Sequence, residues 1–143
     1  MTSKFASLSA NVTEAYRMPI LHPKTWLPIK DQEGKEAFVE VMSADSEVGR
    51  TFDREQAEAV SQRIFSGTLR SAPLNEESRQ IARLAALTRG WYLIDMAGVP
   101  IDFPFSRDNA IAFYSDPGVA WITRQVTAAS NEIANFMPRL SNA

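Results

Sequence analysis

The sequence predicts an α+β fold in which a small N-terminal antiparallel β-meander packs against a bundle of about four helices. Near the start of the chain, apolar residues alternate with other residues, as they do along a half-buried strand. Further along, helix-capping residues stand directly before apolar segments. Towards the end, apolar residues recur with gaps of three and four residues, which keeps them on one face of an α-helix.

The predicted strands lie within residues 12–44. In the first strand, Tyr16, Met18 and Ile20 alternate, and Pro19 places this strand at an edge of the sheet because proline has no N–H to donate. Two further strands and the turns between them are predicted from short apolar runs and turn-forming residues. They are a second strand at Trp26, Leu27 and Ile29, a third strand at Phe38, Val39 and Val41, and turns at residues 22–25 and 30–34.

The first predicted helix spans residues 45–66. A side-chain oxygen of Ser43 or Asp45 caps its first N–H groups, which have no partner within the helix. Gly49 is predicted to weaken the start of this helix, because glycine loses the most conformational freedom on folding. Gly67 is predicted to end it.

Three later helices are predicted from their boundary residues. The second helix begins after Asn75 and ends where Gly90 takes the position that follows the last helical turn. A short third helix begins after Ser106, and a fourth begins at Asp116-Pro117 and continues to residue 136. Between the second and third helices, residues 91–104 form a connector that holds either a tight hairpin or a buried loop.

Chain length and composition predict one globular domain. A chain of 143 residues is near the common size of a domain and buries roughly two-thirds of its unfolded surface. Residues 1–11 are predicted to be flexible, and residues 12–143 to form a single domain, with the β-meander at 12–44 and mainly helices at 45–137. The sequence contains no cysteine, which excludes disulfides and thiol chemistry. It predicts neither a membrane span nor a secretory signal.

The charge balance argues against nucleic acid as a partner. The chain has 15 basic and 17 acidic residues, a net charge of −2, whereas nucleic-acid binding depends on Lys and Arg that neutralise phosphates. Residues 30–58 hold nine acidic and four basic side chains. This acidic stretch is interpreted first as a solvated face and second as a docking patch.

No residues form a pattern that predicts catalysis, a cofactor site or a metal site. His22 is the only histidine, and it lies in a proline-containing turn away from any candidate nucleophile. Asp95 and Asp102 flank a turn, where paired carboxylates can do acid–base chemistry, but carboxylates in turns more often accept hydrogen bonds from the backbone. The sequence therefore predicts a protein that binds another protein without catalysing a reaction. Its oligomeric state stays open.

The last helical segment is the surface predicted to bind a partner. It has the clearest apolar periodicity in the chain, and aromatic and methionine side chains near its end are typical of interfaces. Most of this stripe is expected to pack on its own domain. The predicted binding residues are Val119, Trp121, Ile122, Val126, Ile133, Phe136 and Met137.

The second half of the chain carries a set of short motifs. A Gly90-Trp91 pair stands within residues 81–95, and the pattern continues through residues 98–101, 105–110 and 121–126 to Asn135-Phe136. These residues resemble the tail assembly chaperones of long-tailed bacteriophages and prophages. The first half is similar to that family in style, with a short meander, two tight turns and then a helix. The segment at residues 102–105 is bulkier than the family pattern.

This resemblance implies a non-catalytic factor that acts in the cytoplasm of the bacterial host and is absent from the mature virion. Such a factor binds the tape measure protein, helps to recruit tail tube subunits, and needs no cofactor. Two alternatives stay open. One is a permanent minor virion component, such as a neck, connector or tail subunit, and the other is a small inhibitor of a host protein.

Overall fold

The computed structural model describes residue 5, residues 8–66 and residues 75–137, with the backbone alone described at residues 62–66. It confirms the α+β class, because a three-stranded antiparallel sheet is combined with four α-helices in these residues. The elements are β1 (Tyr16–Pro19), β2 (Phe38–Val41), α1 (Glu47–Ser66), α2 (Glu76–Leu87), β3 (Thr88–Tyr92), α3 (Arg107–Ser115) and α4 (Ala120–Asn131). Two short 3-10 helices, Pro117–Val119 and Ile133–Phe136, flank α4.

The sheet has the strand order β1-β2-β3, with both neighbouring pairs antiparallel. Met18 on β1 faces Val39 on β2, and Val39 faces Trp91 on β3, so the three side chains lie in one row across the sheet. A register irregularity falls between Glu40 and Val41. β1 is an edge strand, as Pro19 predicted.

The third strand of the sheet differs from the sequence prediction. The predicted strand at residues 26–29 is wrong: this region makes only isolated bridges, Leu21 with Pro28 and Lys30 with Glu36. Pro28 has no N–H for a ladder, and Trp26 has a φ of 58°, which is not an extended conformation. The missing strand is β3, which follows α2 directly. The sheet is therefore completed after two helices and not by a meander within residues 12–44.

Of the predicted caps, Asn75 and Ser106 are confirmed and the cap of α1 differs. Asn75 Oδ1 accepts the Ser78 N–H at 2.7 Å, and Ser106 Oγ accepts the Asn109 N–H at 3.0 Å. α1 is capped by Ser46 Oγ, which accepts the Gly49 N–H at 3.4 Å, and not by Ser43 or Asp45. Since α1 begins at Glu47, only Ser46 has the spacing that reaches an N–H of the first turn.

The predicted start of the fourth helix at Asp116-Pro117 is instead the start of the 3-10 helix Pro117–Val119, where Asp116 Oδ1 accepts the Gly118 N–H at 2.8 Å, and α4 begins at Ala120.

Two predicted helix ends are also wrong. α2 ends at Leu87, where Thr88 takes an extended conformation, so Gly90 lies within β3 and does not follow a helix. The last helix is not continuous to residue 136. It ends at Asn131, because Glu132 adopts an extended backbone with φ −88° and ψ 105°. Gly67, which was predicted to end the first helix, lies outside the described residues, as do residues 1–4, 6 and 7 of the predicted flexible segment.

The core lies between one face of the sheet and the helices. Val39 and Val41 on β2 are fully buried, and α4 packs against β1 and β2 with Val126 fully buried. Burial of one such side chain stabilises the fold by roughly 1.5 kcal/mol or more. Thr88 Oγ1 and Tyr114 Oη lie 2.7 Å apart inside this core. Across the described ranges, no buried side-chain nitrogen or oxygen lacks a hydrogen-bond partner.

Two close approaches fix how the helices sit on the sheet. A Cβ atom on Gly49 would lie 2.4 Å from the main-chain oxygen of Ala44, so glycine is needed at this contact between α1 and the preceding turn. Gln125 on α4 makes two hydrogen bonds with the main chain of Leu21. Its Nε2 donates to the Leu21 oxygen at 2.8 Å, and its Oε1 accepts the Leu21 N–H at 3.0 Å. The carboxamide thus makes the two hydrogen bonds to Leu21, just beyond β1, that the backbone of a paired strand would otherwise make.

Candidate partner-binding surface

The structure separates the seven predicted binding residues into buried and exposed ones. Ile122, Val126 and Phe136 are buried in the core of the domain. Ile133 and Met137 are exposed by 45% and 43%. Val119 and Trp121 are partly buried and pack against the core. The stripe Val119, Trp121, Ile122, Val126, Ile133, Phe136 and Met137 is therefore mainly used for packing within the chain itself, where α4 meets β1 and β2.

The two exposed residues of that stripe lie near the start of β1. The Phe136 ring packs edge-on against Tyr16 with 6.2 Å between ring centroids, and the Asn11 N–H donates to the Phe136 oxygen. Because Tyr16 is the first residue of β1, Ile133 and Met137 belong to the end of the sheet where β1 begins. They are what remains of the predicted stripe for contact with another molecule.

The polar residues considered for catalysis act within turns. His22 Nδ1 accepts the Lys24 N–H at 3.1 Å. Asp95 Oδ1 accepts the N–H groups of Ala97 at 2.8 Å and Val99 at 3.0 Å, as expected for a carboxylate that stabilises a turn. Asp102 is exposed. Within the described ranges, no group of three or more His, Asp or Glu side chains is placed to hold a metal ion.

A cavity of about 630 Å³ lies between α1 and α2, and its side chains are mainly polar. Its most prominent contact is an ion pair, in which Arg83 Nε donates to Asp53 Oδ1 at 2.8 Å. A carboxylate held by a guanidinium in this way is a structural acceptor.

Among the described helices, none has both the length and the apolarity that crossing a membrane requires.

Two long connections leave the sheet at its other end. β1 ends at Pro19 and β2 begins at Phe38, and Phe38 pairs with Tyr92, where β3 ends. In this antiparallel register, the segments 20–37 and 93–106 must therefore start from the same end of the sheet. They also meet, since a Cβ atom on Gly98 would lie 3.5 Å from the main-chain oxygen of Lys30.

These two segments expose a group of large apolar side chains, which we call the apolar end. Trp26 and Leu27 are each exposed by 64% and Met96 by 61%, and two further side chains are nearly half exposed. Tryptophan and methionine at a surface are typical of sites that bind other proteins. The apolar end consists of Trp26, Leu27, Met96, Val99 and Ile101.

Hydrogen bonds hold both turns of the apolar end in place. In the first turn, the His22 N–H donates to the Leu27 oxygen at 2.9 Å, and the Trp26 N–H donates to the His22 oxygen at 2.8 Å. In the second turn, the Asp95 N–H donates to the Val99 oxygen at 2.9 Å, and Gly98 has a φ of 82° that suits glycine. The exposed side chains are therefore presented by preformed loops.

A hydrogen bond between Tyr92 and Asp31 joins β3 to the segment 20–37. Tyr92 Oη donates to Asp31 Oδ2 at 2.6 Å. This bond lowers the pKa of Asp31 below its ordinary value, and it raises the pKa of Tyr92 to about 12. Lys35 Nζ lies 4.5 Å from the centroid of the Tyr92 ring, which adds a cation–π contact. The link keeps the turn at residues 31–35 against the sheet.

An aromatic cluster supports the second connection. Trp91 stacks on Phe103 with 5.7 Å between ring centroids, and Phe105 and Phe113 contact the same indole. Trp91 Nε1 donates to the Phe103 oxygen at 2.7 Å. Trp91 therefore anchors residues 93–106 and with them the turn that exposes Met96 and Val99.

The apolar end was not predicted from the sequence. Trp26 and Leu27 were assigned to a strand, in which one of two neighbouring residues would face the core. The available signal was the position of Met96 and Val99 around Gly98, because turns are usually polar and apolar residues there need a reason.

No protein-family model matches the chain, and neither a curated protein nor a solved structure matches it.

Proposed function

We propose that this protein is a non-catalytic tail assembly chaperone of a long-tailed bacteriophage or prophage, which binds the tape measure protein through its apolar end. The exposure of five large apolar side chains, four of them on two preformed turns, is the observation that supports this proposal. The resemblance of residues 81–136 to that family supplies the identity of the partner. No metal or cofactor takes part.

The chemistry of the apolar end suits an amphipathic helix of a long apolar partner. Trp26 offers a large rigid surface, while Met96 offers a flexible side chain that adapts to different neighbours along a repetitive partner. Exposed apolar patches of this kind mark sites where other proteins bind. Binding by a few side chains also remains reversible, which a chaperone requires because it must leave before the virion is complete.

The acidic stretch that the sequence indicated fits a separate role in this proposal. Asp45, Glu47, Glu55 and Glu58 are exposed at the start of α1 and along it. Negative charge of this kind keeps a complex with an apolar partner in solution. We assign contact with tail tube subunits to a surface other than the apolar end. In this proposal, the protein acts in the cytoplasm of the bacterial host, before the virion matures.

Co-expression with the tape measure protein of the same phage or prophage tests the proposal. The wild-type chain is expected to keep the tape measure protein soluble and to co-purify with it. The double variant Leu27→Asp/Met96→Asp is expected to lose this complex, because it places charges in the apolar end. The control Ile133→Asp/Met137→Asp alters two apolar side chains near the start of β1 that are exposed by 45% and 43%, and it is expected to retain the complex.

The alternative outcomes are equally clear. Loss of the complex only in the Ile133→Asp/Met137→Asp variant would move the site to the remainder of the predicted stripe. No complex with the wild-type chain, together with the protein in purified particles, would replace the chaperone by a permanent virion subunit.

A further inference from the structure

Trp26 combines two features that are both unfavourable in the free protein. Its side chain is mostly exposed, and its backbone has a φ of 58°. Left-handed backbone brings the Cβ atom of an L-residue too close to the neighbouring carbonyl, so bulky residues rarely adopt it. Among the residues that the structure describes, Trp26 is the only one other than glycine with a positive φ.

The turn around Trp26 imposes this conformation. The bridge between Leu21 and Pro28 closes its base, and the Trp26 N–H is held by the His22 oxygen at 2.8 Å. Thr25 Oγ1 accepts the Leu27 N–H at 3.3 Å. These contacts involve backbone groups and neighbouring side chains, and the indole takes no part in them.

Glycine would fit this backbone without strain, as it does at Gly34 and Gly98, which have φ values of 86° and 82°. The backbone therefore does not explain why a tryptophan stands at position 26. The core does not explain it either, because the side chain is mostly exposed. What remains is a use for the indole itself, and strained residues of this kind are concentrated at sites of function.

We infer that Trp26 is the anchor residue of the interface, which inserts its indole between apolar side chains on the partner helix, with a carboxylate of that helix at the rim of the contact. Lys24 is the reason to expect a carboxylate on the partner. It is exposed two residues before Trp26 and makes no ion pair with any described residue, so its ammonium group is available to pair with an acidic side chain. This inference rests on the proposed function, since it names the residue that dominates binding to the tape measure protein.

Affinity measurements on the full chain test the anchor. The probe is the tape measure protein, purified as a fusion to a solubilising carrier protein and immobilised on a biosensor. Trp26→Ala and Trp26→Gly are both expected to weaken binding by about 30-fold or more, which is the effect of removing a dominant interface residue. Lys24→Glu is expected to weaken it about tenfold, because it brings a like charge to the rim. Ile111→Ala, at an exposed position on α3, is the control and should change affinity less than about threefold.

Urea unfolding of the free variants tests the strain without any partner. At position 26, the glycine variant should be more stable than the alanine variant, by about threefold in the unfolding equilibrium constant. At Leu27, whose backbone is not left-handed, the order should reverse, because glycine then only adds freedom to the unfolded chain.

The outcomes separate this inference from the proposed function. If the wild-type chain does not bind the tape measure protein, the proposed function fails and takes the anchor with it. If the wild-type chain binds and Trp26→Ala binds within threefold of it, only the anchor is overturned. A glycine variant at position 26 that is less stable than the alanine variant would overturn the claim that the backbone at this position is strained. Loss of self-association in Trp26→Ala, with unchanged tape measure binding, would assign the indole to a second copy of this chain and overturn the anchor as well.

Discussion

Replacing Gly49 with alanine tests how tightly α1 is seated on the rest of the domain. The added Cβ atom would lie 2.4 Å from the main-chain oxygen of Ala44, whereas real Cβ contacts are essentially never shorter than 3.0 Å. The oxygen or the helix must therefore move by at least about 0.6 Å. A main-chain atom cannot rotate away as a flexible side chain can.

The surrounding contacts make this movement costly. The Ala44 oxygen also accepts from Arg83 Nη2 at 3.4 Å, and the Ala44 N–H donates to the Ser130 oxygen at 3.0 Å. A shift of Ala44 therefore disturbs its contacts with α2 and α4 together. Overpacking at such a site costs roughly 1–3 kcal/mol, while the helix propensity of alanine returns up to about 1 kcal/mol. We expect Gly49→Ala to lower the free energy of unfolding by about 1.5 kcal/mol.

Urea unfolding followed by circular dichroism measures this effect, and Gly90→Ala is the matched control. Nothing lies within 4 Å of the Cβ position at Gly90, and its backbone is not left-handed. This control should leave the stability unchanged or raise it by about 0.5 kcal/mol. In thermal unfolding, Gly49→Ala should melt about 5 °C lower than the wild-type chain. A Gly49→Ala protein as stable as wild type, or a Gly90→Ala protein that loses as much, would refute the reasoning.

Two other contacts give predictions that do not require a partner. Gln125→Ala leaves the main chain of Leu21 without both of its hydrogen bonds and should cost about 2 kcal/mol in urea unfolding. Arg124→Ala, one residue earlier, should cost less than about 0.5 kcal/mol, and equal losses in the two variants would contradict this role of Gln125. Tyr92→Phe removes the hydrogen bond that raises the folded pKa of Tyr92 from 10.0 to about 12. That bond stabilises the fold below pH 10, and its contribution is lost as pH rises from 10 to 12, so the variant should lack this part of the alkaline destabilisation. An NMR titration of the variant should also show a higher pKa for Asp31 than in the wild-type chain. An unchanged pKa of Asp31 would contradict the link.

Features that depend only on near neighbours were predictable from the sequence. Asn75 and Ser106 cap their helices as predicted, because a cap needs only a side-chain oxygen and an N–H group three residues further on. Pro19 correctly placed β1 at an edge, because its missing N–H acts wherever the strand lies. The α+β class followed from the difference between alternating and helical spacing of apolar residues.

Features decided by distant residues were not predictable. Thr88, Arg89 and Gly90 fit the end of a helix as well as they fit a strand, and it is the pairing of Gly90 with Glu40 that decides between them. Within α4, the helical spacing of Ile122 and Val126 predicted an apolar face correctly, but it did not determine whether that face meets the sheet or a partner. The left-handed backbone at Trp26 depends on the hydrogen bonds that close its turn, which no local pattern of a tryptophan predicts.

The position of β3 in the chain has a consequence for synthesis in the cell. Val39 in β2 pairs with Trp91 in β3, so the sheet cannot be completed until residue 92 has left the ribosome. At about 5–20 residues per second, the segment between these strands takes several seconds to make. The core stays open for longer still, because Ser130 at the end of α4 closes it by donating to the Met42 oxygen at 2.9 Å. During this interval the nascent β1–β2 hairpin has a free edge along β2, and cellular factors that shield such edges are expected to contact it first.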